Sequence, residues 1–133
     1  METFEHLRRA DTVLLSTRRR DGSTVDTPVN LAVDDQGIGY FRTWSTSGKA
    51  RRLRNFPGVR VAPCSLTGRP QGSDQPALAS LLSGVDAERA RTLLAGRFPI
   101  LHGRLVPLLH RMLKHDTVHY RLAPTEEPTP WQG

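Results

Sequence analysis

The chain has 133 residues, enough for one domain with a real core and too few for two. Its apolar fraction of 37% and charged fraction of 24% are those of a globular protein, and no apolar run approaches the roughly 20 residues a membrane helix needs. The first residues lack the basic and apolar regions of a secretory signal, and the lone Cys64 allows neither an internal disulfide nor a Cys-rich metal site, so a cytoplasmic protein is expected.

Taken in chain order, Phe4, Leu7 and Ala10 at helical spacing predict a short opening helix over 3–10. A strand over 12–18 follows, then the turn Arg20-Asp21-Gly22-Ser23. Residues 24–33 form the second strand, with Val25, Thr27, Val29, Leu31 and Val33 alternating with more polar neighbours. After a turn at Asp34-Asp35-Gln36-Gly37, a third strand over 38–44 makes 12–44 an antiparallel meander. Ser45 to Gly48 cap a short basic helix over 49–56, which Asn55-Phe56-Pro57-Gly58 stops. A fourth strand covers 59–66, with Pro63 marking an edge or a bulge, and a fifth covers 76–83 after a Gly, Pro and Ser-rich loop. Asp86 caps a helix that ends near Gly96, a Pro107-kinked helix covers 101–113, and 117–122 is the closing strand. Six strands with short helices outside them predict a mainly β, single-domain small barrel over 1–124, followed by a tail over 125–133.

The stretch that carries chemistry runs from Tyr40 to Arg54, from a strand end through hydroxyl-bearing residues into a helix. With Ser47 as N-cap, Gly48 and Lys49 fall in the first turn, where free N–H groups and the helix dipole favour an anion. A lysine there opposes the dipole unless a phosphate or carboxylate docks beside it. Helical phase puts Ala50, Leu53 and Phe56 on the buried face, Lys49 and Arg52 along one flank, and Arg51 and Arg54 toward water. The competing reading is that Lys49 only lays its stem along the apolar face. A nucleotide P-loop is excluded, because it needs a glycine where Thr43 stands and a Ser or Thr in place of Ala50.

Three segments, Tyr40-Phe41-Arg42-Thr43, Ser47-Gly48-Lys49-Ala50 and Asn55-Phe56-Pro57-Gly58-Val59-Arg60-Val61, resemble the pyridoxamine 5′-phosphate oxidase-like split β-barrel superfamily. The order of elements agrees over about 5–122. Asp26-Thr27-Pro28-Val29-Asn30, the helix start and Val59 to Cys64 are most similar to its branch of coenzyme F420-dependent oxidoreductases. The resemblance implies a homodimer with two cofactor sites in its interface. It implies that Lys49, with Ser47, Gly48 and Arg52, holds the cofactor phosphate. Thr43 and Ser45 would contact the ribityl chain, with Pro28, Val29 and Asn30 along the ring. Vitamin B6 oxidases carry further basic phosphate ligands where Thr27, Ala32 and Gly48 stand here, which favours the deazaflavin F420 over FMN. An FMN enzyme of this fold and a non-catalytic cofactor carrier are the alternatives. The net charge of +6 suits the acidic tail of F420, although Arg-rich composition alone also produces such a charge.

The remaining candidates are weaker. Cys64 reads as a small core residue, Trp44 as a residue closing the barrel end, and His115 with His119 as too few ligands for a metal. There is no Gly-x-Ser-x-Gly elbow for serine hydrolysis. The clusters Arg18 to Arg20 and Arg51, Arg52 and Arg54 could attract nucleic acid, but no reading module or aromatic platform accompanies them. No residue is singled out as a proton donor, and substrate identity is not encoded in any motif.

Overall fold

The computed structural model describes residues 3–10, 12–65, 67–98 and 117–125. Seven strands among them form one sheet: β1 (Thr12–Arg18), β2 (Thr24–Asn30), β3 (Ala32–Val33), β4 (Gly39–Trp44), β5 (Gly58–Pro63), β6 (Gln75–Leu81) and β7 (Thr117–Pro124). Their spatial order is β2-β1-β5-β6-β7-β4-β3, and every pairing is antiparallel. The edge strands β2 and β3 are joined through Leu31 alone, and β2 approaches β4, so the sheet curls toward itself as a half-barrel. Helix α1 (Gly48–Asn55) packs on β1 and β4, and α2 (Gly84–Arg97) packs on β7, β4 and β3.

Period-two alternation fills the inside. Val13, Leu15 and Thr17 of β1, Val59 and Val61 of β5, Ala77 and Ala79 of β6, and Tyr120 and Leu122 of β7 are all buried. Phe41 of β4 lies opposite Tyr120 in the β4–β7 register, and their rings stack with centroids 5.2 Å apart. The small Ala77 and Ala79 leave room for these aromatic rings, which is how a narrow barrel accommodates large side chains.

The meander expected over 12–44 is not what forms. β1 pairs with β2 and β3 with β4, but the two hairpins lie at opposite edges of the sheet. The chain breaks at Leu31, so the strand expected over 24–33 is two strands, and the sheet has seven rather than six. At the break Leu31, Ala32 and Val33 are all buried in succession, so the expected in-and-out alternation stops there.

The opening helix is a single 3-10 turn, Glu5–Leu7. Arg8 ends it by reaching across to the carbonyls of Val33 and Asp34 at 2.9 and 2.5 Å while pairing with Glu5. The start of α2 is also earlier than expected. Ser83 is the N-cap and Asp86 lies inside the first turn, where its charge suits the dipole without capping. β5 ends at Pro63 rather than at 66. The Cys64 amide bonds the Thr12 carbonyl, so by alternation the ring nitrogen of Pro63 faces the β6 side, and pairing with β6 reaches only Val61. β7 extends to Pro124, past the expected 122.

The helix expected over 101–113, His115 and residues 126–133 of the expected tail lie outside the described residues. No helix among the described residues is long and apolar enough to cross a membrane.

Candidate functional site

The start of α1 is built by hydroxyl chemistry. β4 ends at Trp44, whose carbonyl accepts the Ser47 amide and turns the chain. Ser47, in extended conformation, then caps the helix: its Oγ accepts the Ala50 amide at 3.1 Å. The same Oγ accepts the Thr43 hydroxyl at 3.0 Å. With both acceptor positions filled, the Ser47 hydroxyl hydrogen is left to donate outward, toward whatever docks at the helix start.

No acidic residue occupies the first turn of α1, although such residues are favoured there. Lys49 is half-buried instead, and burial, then the neighbouring Arg52, lowers its pKa. Its ammonium makes no hydrogen bond or ion pair among the described residues. Arg52 is fixed by its Nε, which donates to Thr17 Oγ1 at 2.6 Å. Its guanidinium folds back over Gly48, so that a Cβ there would meet Nη1 at 2.7 Å. An arginine absent from position 48 is thus matched by a guanidinium that the next helical turn lays over the same backbone.

Helical phase within α1 is as the sequence implies: Ala50 and Leu53 are buried, Lys49 and Arg52 half-buried, and Arg51 and Arg54 exposed; Phe56, expected on the buried face, is only half-buried because it is the extended C-cap beyond the helix. Arg51 is nevertheless not simply solvated, since it lines a cleft with Arg18, Arg19, Arg20 and Arg52. Sequence reasoning did not reach this cleft, nor Thr17. The one available signal for Thr17 was its place on the inward face after Val13 and Leu15, a hydroxyl in an apolar row.

Thr43 bonds Ser47, and the Arg52 guanidinium lies over the adjacent Gly48, with Lys49 within the same turn. Ser45 is half-buried in the connection between β4 and α1. Pro28, Val29 and Asn30 stand toward the far end of β2, opposite Leu14, Val13 and Thr12, whereas α1 meets the other end of β1 through Thr17. Val29 points its side chain into the core, so only its backbone is left to face a ligand, and exposed Pro28 lies beside Gly68.

Elsewhere, Cys64 is a buried free thiol whose pKa burial raises, in keeping with a core residue. Among the described residues no group of three or more His, Cys, Asp or Glu is placed to hold a metal. Trp44 is half-buried at the end of β4.

His119 is buried opposite Arg42 on the α2 side of the sheet, and its Nε2 has no hydrogen-bond partner. Burial, reinforced by Arg42 and Arg91 and partly offset by Glu88, lowers its pKa from 6.5 to about 4. A group depressed on folding contributes stability that is full above the unfolded value and lost as pH falls toward the folded one. Stability should therefore decline as the pH is lowered from 6.5 to about 4, and His119→Gln should flatten that decline. Urea midpoints of both proteins across this range test it; an unchanged slope in the variant would place the effect on other groups.

No family model and no curated protein matches the sequence. Solved structures do match its fold. The chain is similar to HutZ, the heme storage protein from Vibrio cholerae, at 18% identity and a TM-score of 0.69, covering 95% of this chain and 93% of that one. A provisionally assigned pyridoxamine 5′-phosphate oxidase from Listeria innocua is similar at 16% identity and a TM-score of 0.58, over 93% and 91% of the two chains. A provisionally assigned 5-nitroimidazole antibiotic resistance protein from Bacteroides thetaiotaomicron matches at 10% identity and a TM-score of 0.60, over 90% and 76%. The chain has the split β-barrel fold of the pyridoxamine 5′-phosphate oxidase-like proteins.

Proposed function

We propose that this chain is an oxidoreductase that uses the deazaflavin coenzyme F420, holds the coenzyme phosphate at the start of α1, and works as a cytoplasmic homodimer. The observation that carries the reading is the convergence at one helix start of an outward Ser47 hydroxyl, a Lys49 ammonium with no partner among the described residues and an anchored Arg52, with no carboxylate in the first turn. These donors fit a phosphate in number and charge.

When bound, the coenzyme supplies the hydride chemistry. Ser47, the backbone amides of the first turn, Lys49 and Arg52 orient it through its phosphate. The Thr43 hydroxyl is committed to Ser47, so it would meet a ribityl chain as an acceptor. Support for redox chemistry also comes from the names of the Listeria and Bacteroides neighbours, one an oxidase and the other tied to a nitro compound. F420 is favoured over FMN because Thr27 and Ala32 offer no cationic phosphate ligand, and Ala32 is buried.

Turnover tests this reading. Purified protein with reduced F420 should consume the coenzyme when offered a quinone or a nitroaromatic acceptor, and it should migrate at about twice the chain mass of 14.8 kDa. A carrier would bind without turnover. A monomer that turned over at full rate would remove the two-chain site.

A further inference from the structure

We infer that the cleft between the β1–β2 turn and the side of α1 is a second anion site, which takes a compact, multiply charged anion built of phosphate or carboxylate groups. The cleft has a volume of about 470 Å³ and is lined by Arg18, Arg19, Arg20, Arg51 and Arg52, with Phe56 and Asn55 at one end and no carboxylate among its walls. Such a volume suits a small molecule rather than a solvated gap.

Arg18 and Arg52 are held by groups that carry no charge, while Arg19 lies within electrostatic reach of Asp21. Arg18 lies over the Phe56 ring at 4.7 Å, and its buried Nε has no hydrogen-bond partner. Arg52 is anchored on Thr17. Burial, Arg19 and Arg51 together lower the pKa of Arg52, a sign of like charges gathered at short range. The nearest carboxylate along the chain, Asp21, is engaged by the amide and hydroxyl of Ser23 at 2.9 and 2.6 Å. Three arginines elsewhere, Arg8, Arg60 and Arg91, each pair with an acid.

The cleft shares Arg52 with the helix start but extends beyond it. Asn55 and Phe56 are at the carboxyl end of α1, where the dipole disfavours an anion, so attraction there must come from the guanidinium groups themselves. Guanidinium forks suit carboxylate and phosphate equally, and several of them on one cleft call for several charges on one ligand.

Calorimetric titration with tripolyphosphate and with tri-glutamate, at low and at physiological salt, tests the assignment and separates the two sources. The double variant Arg19→Ala, Arg51→Ala removes two exposed side chains and should fold normally; it should weaken binding of whichever anion binds by at least tenfold. Lys49→Ala and Arg54→Ala should each change that affinity less than threefold. Equal losses in all variants, or no binding of either anion, would overturn the site. Single-stranded DNA bound a hundredfold more tightly than either small anion, with the same arginine dependence, would also overturn it in favour of a nucleic-acid surface. Arginine-dependent binding of tripolyphosphate by a protein that ignores F420 would leave this inference standing while the proposed function fell.

Discussion

Replacing Lys49 by alanine should weaken F420 binding by one to two orders of magnitude while leaving the melting temperature of the empty protein nearly unchanged. Among the described residues the ammonium has no partner; it opposes the dipole of α1 and has its pKa lowered by burial and by Arg52. Removing it takes little from the fold. Beside a bound phosphate the same ammonium makes a charge-assisted hydrogen bond worth about 1.5 to 3 kcal/mol, which is roughly ten- to hundredfold in affinity. A bound anion also raises the lysine pKa again, so binding must take up protons at alkaline pH and affinity must fall as pH rises through the empty-state value. Lys49→Ala should lose that pH dependence along with the affinity. A sharp drop in melting temperature with unchanged binding would make Lys49 a structural residue.

The largest stability effect is expected at Phe41→Ala, a loss of about 3 to 5 kcal/mol. Phe41 is fully buried, stacks on Tyr120 and faces the core strands β1, β5 and β6 from β4. Truncation removes the ring and its stacking with Tyr120 and leaves a cavity that a sheet of fixed strand spacing cannot close. Domains of this size are stable by about 5 to 15 kcal/mol, so the urea midpoint should fall to a small fraction of the parent value or the variant should fail to fold. Tyr120→Phe, which keeps the ring, is the control that should cost far less. A loss below about 1 kcal/mol at Phe41→Ala would mean that the barrel interior is not packed around this pair.

Local chemistry made part of this molecule legible from sequence. β1 was readable because Val13, Leu15 and Thr17 alternate before an Arg and Gly-containing turn. The start of α1 was readable because a hydroxyl three residues before an apolar position is the signature of a cap, and Ser47 and Ala50 make that bond. Phase alone separated Arg52 from Arg54.

What stayed hidden depends on contacts between distant parts of the chain. The break at Leu31 leaves no trace, since Val29, Leu31 and Val33 keep an unbroken apolar alternation through it. The pairing of β1 with β5 and the separation of the two hairpins follow from how the sheet curls, which no window of sequence contains. For the same reason the Arg18 to Arg20 run suggested only a general attraction for nucleic acid, and only the packing of α1 on β1 brings it beside Arg51 and Arg52. The early start of α2 was missed because Ser83 caps through its backbone, without the side-chain bond that makes a cap recognisable.

The most direct test of the account is a fluorescence titration of the purified protein with F420 and, separately, with FMN. The predicted result is saturable binding of F420 at micromolar concentration or below, competed weakly or not at all by FMN and reduced at least tenfold by Lys49→Ala. Micromolar or tighter binding of FMN with no response to F420 would contradict it.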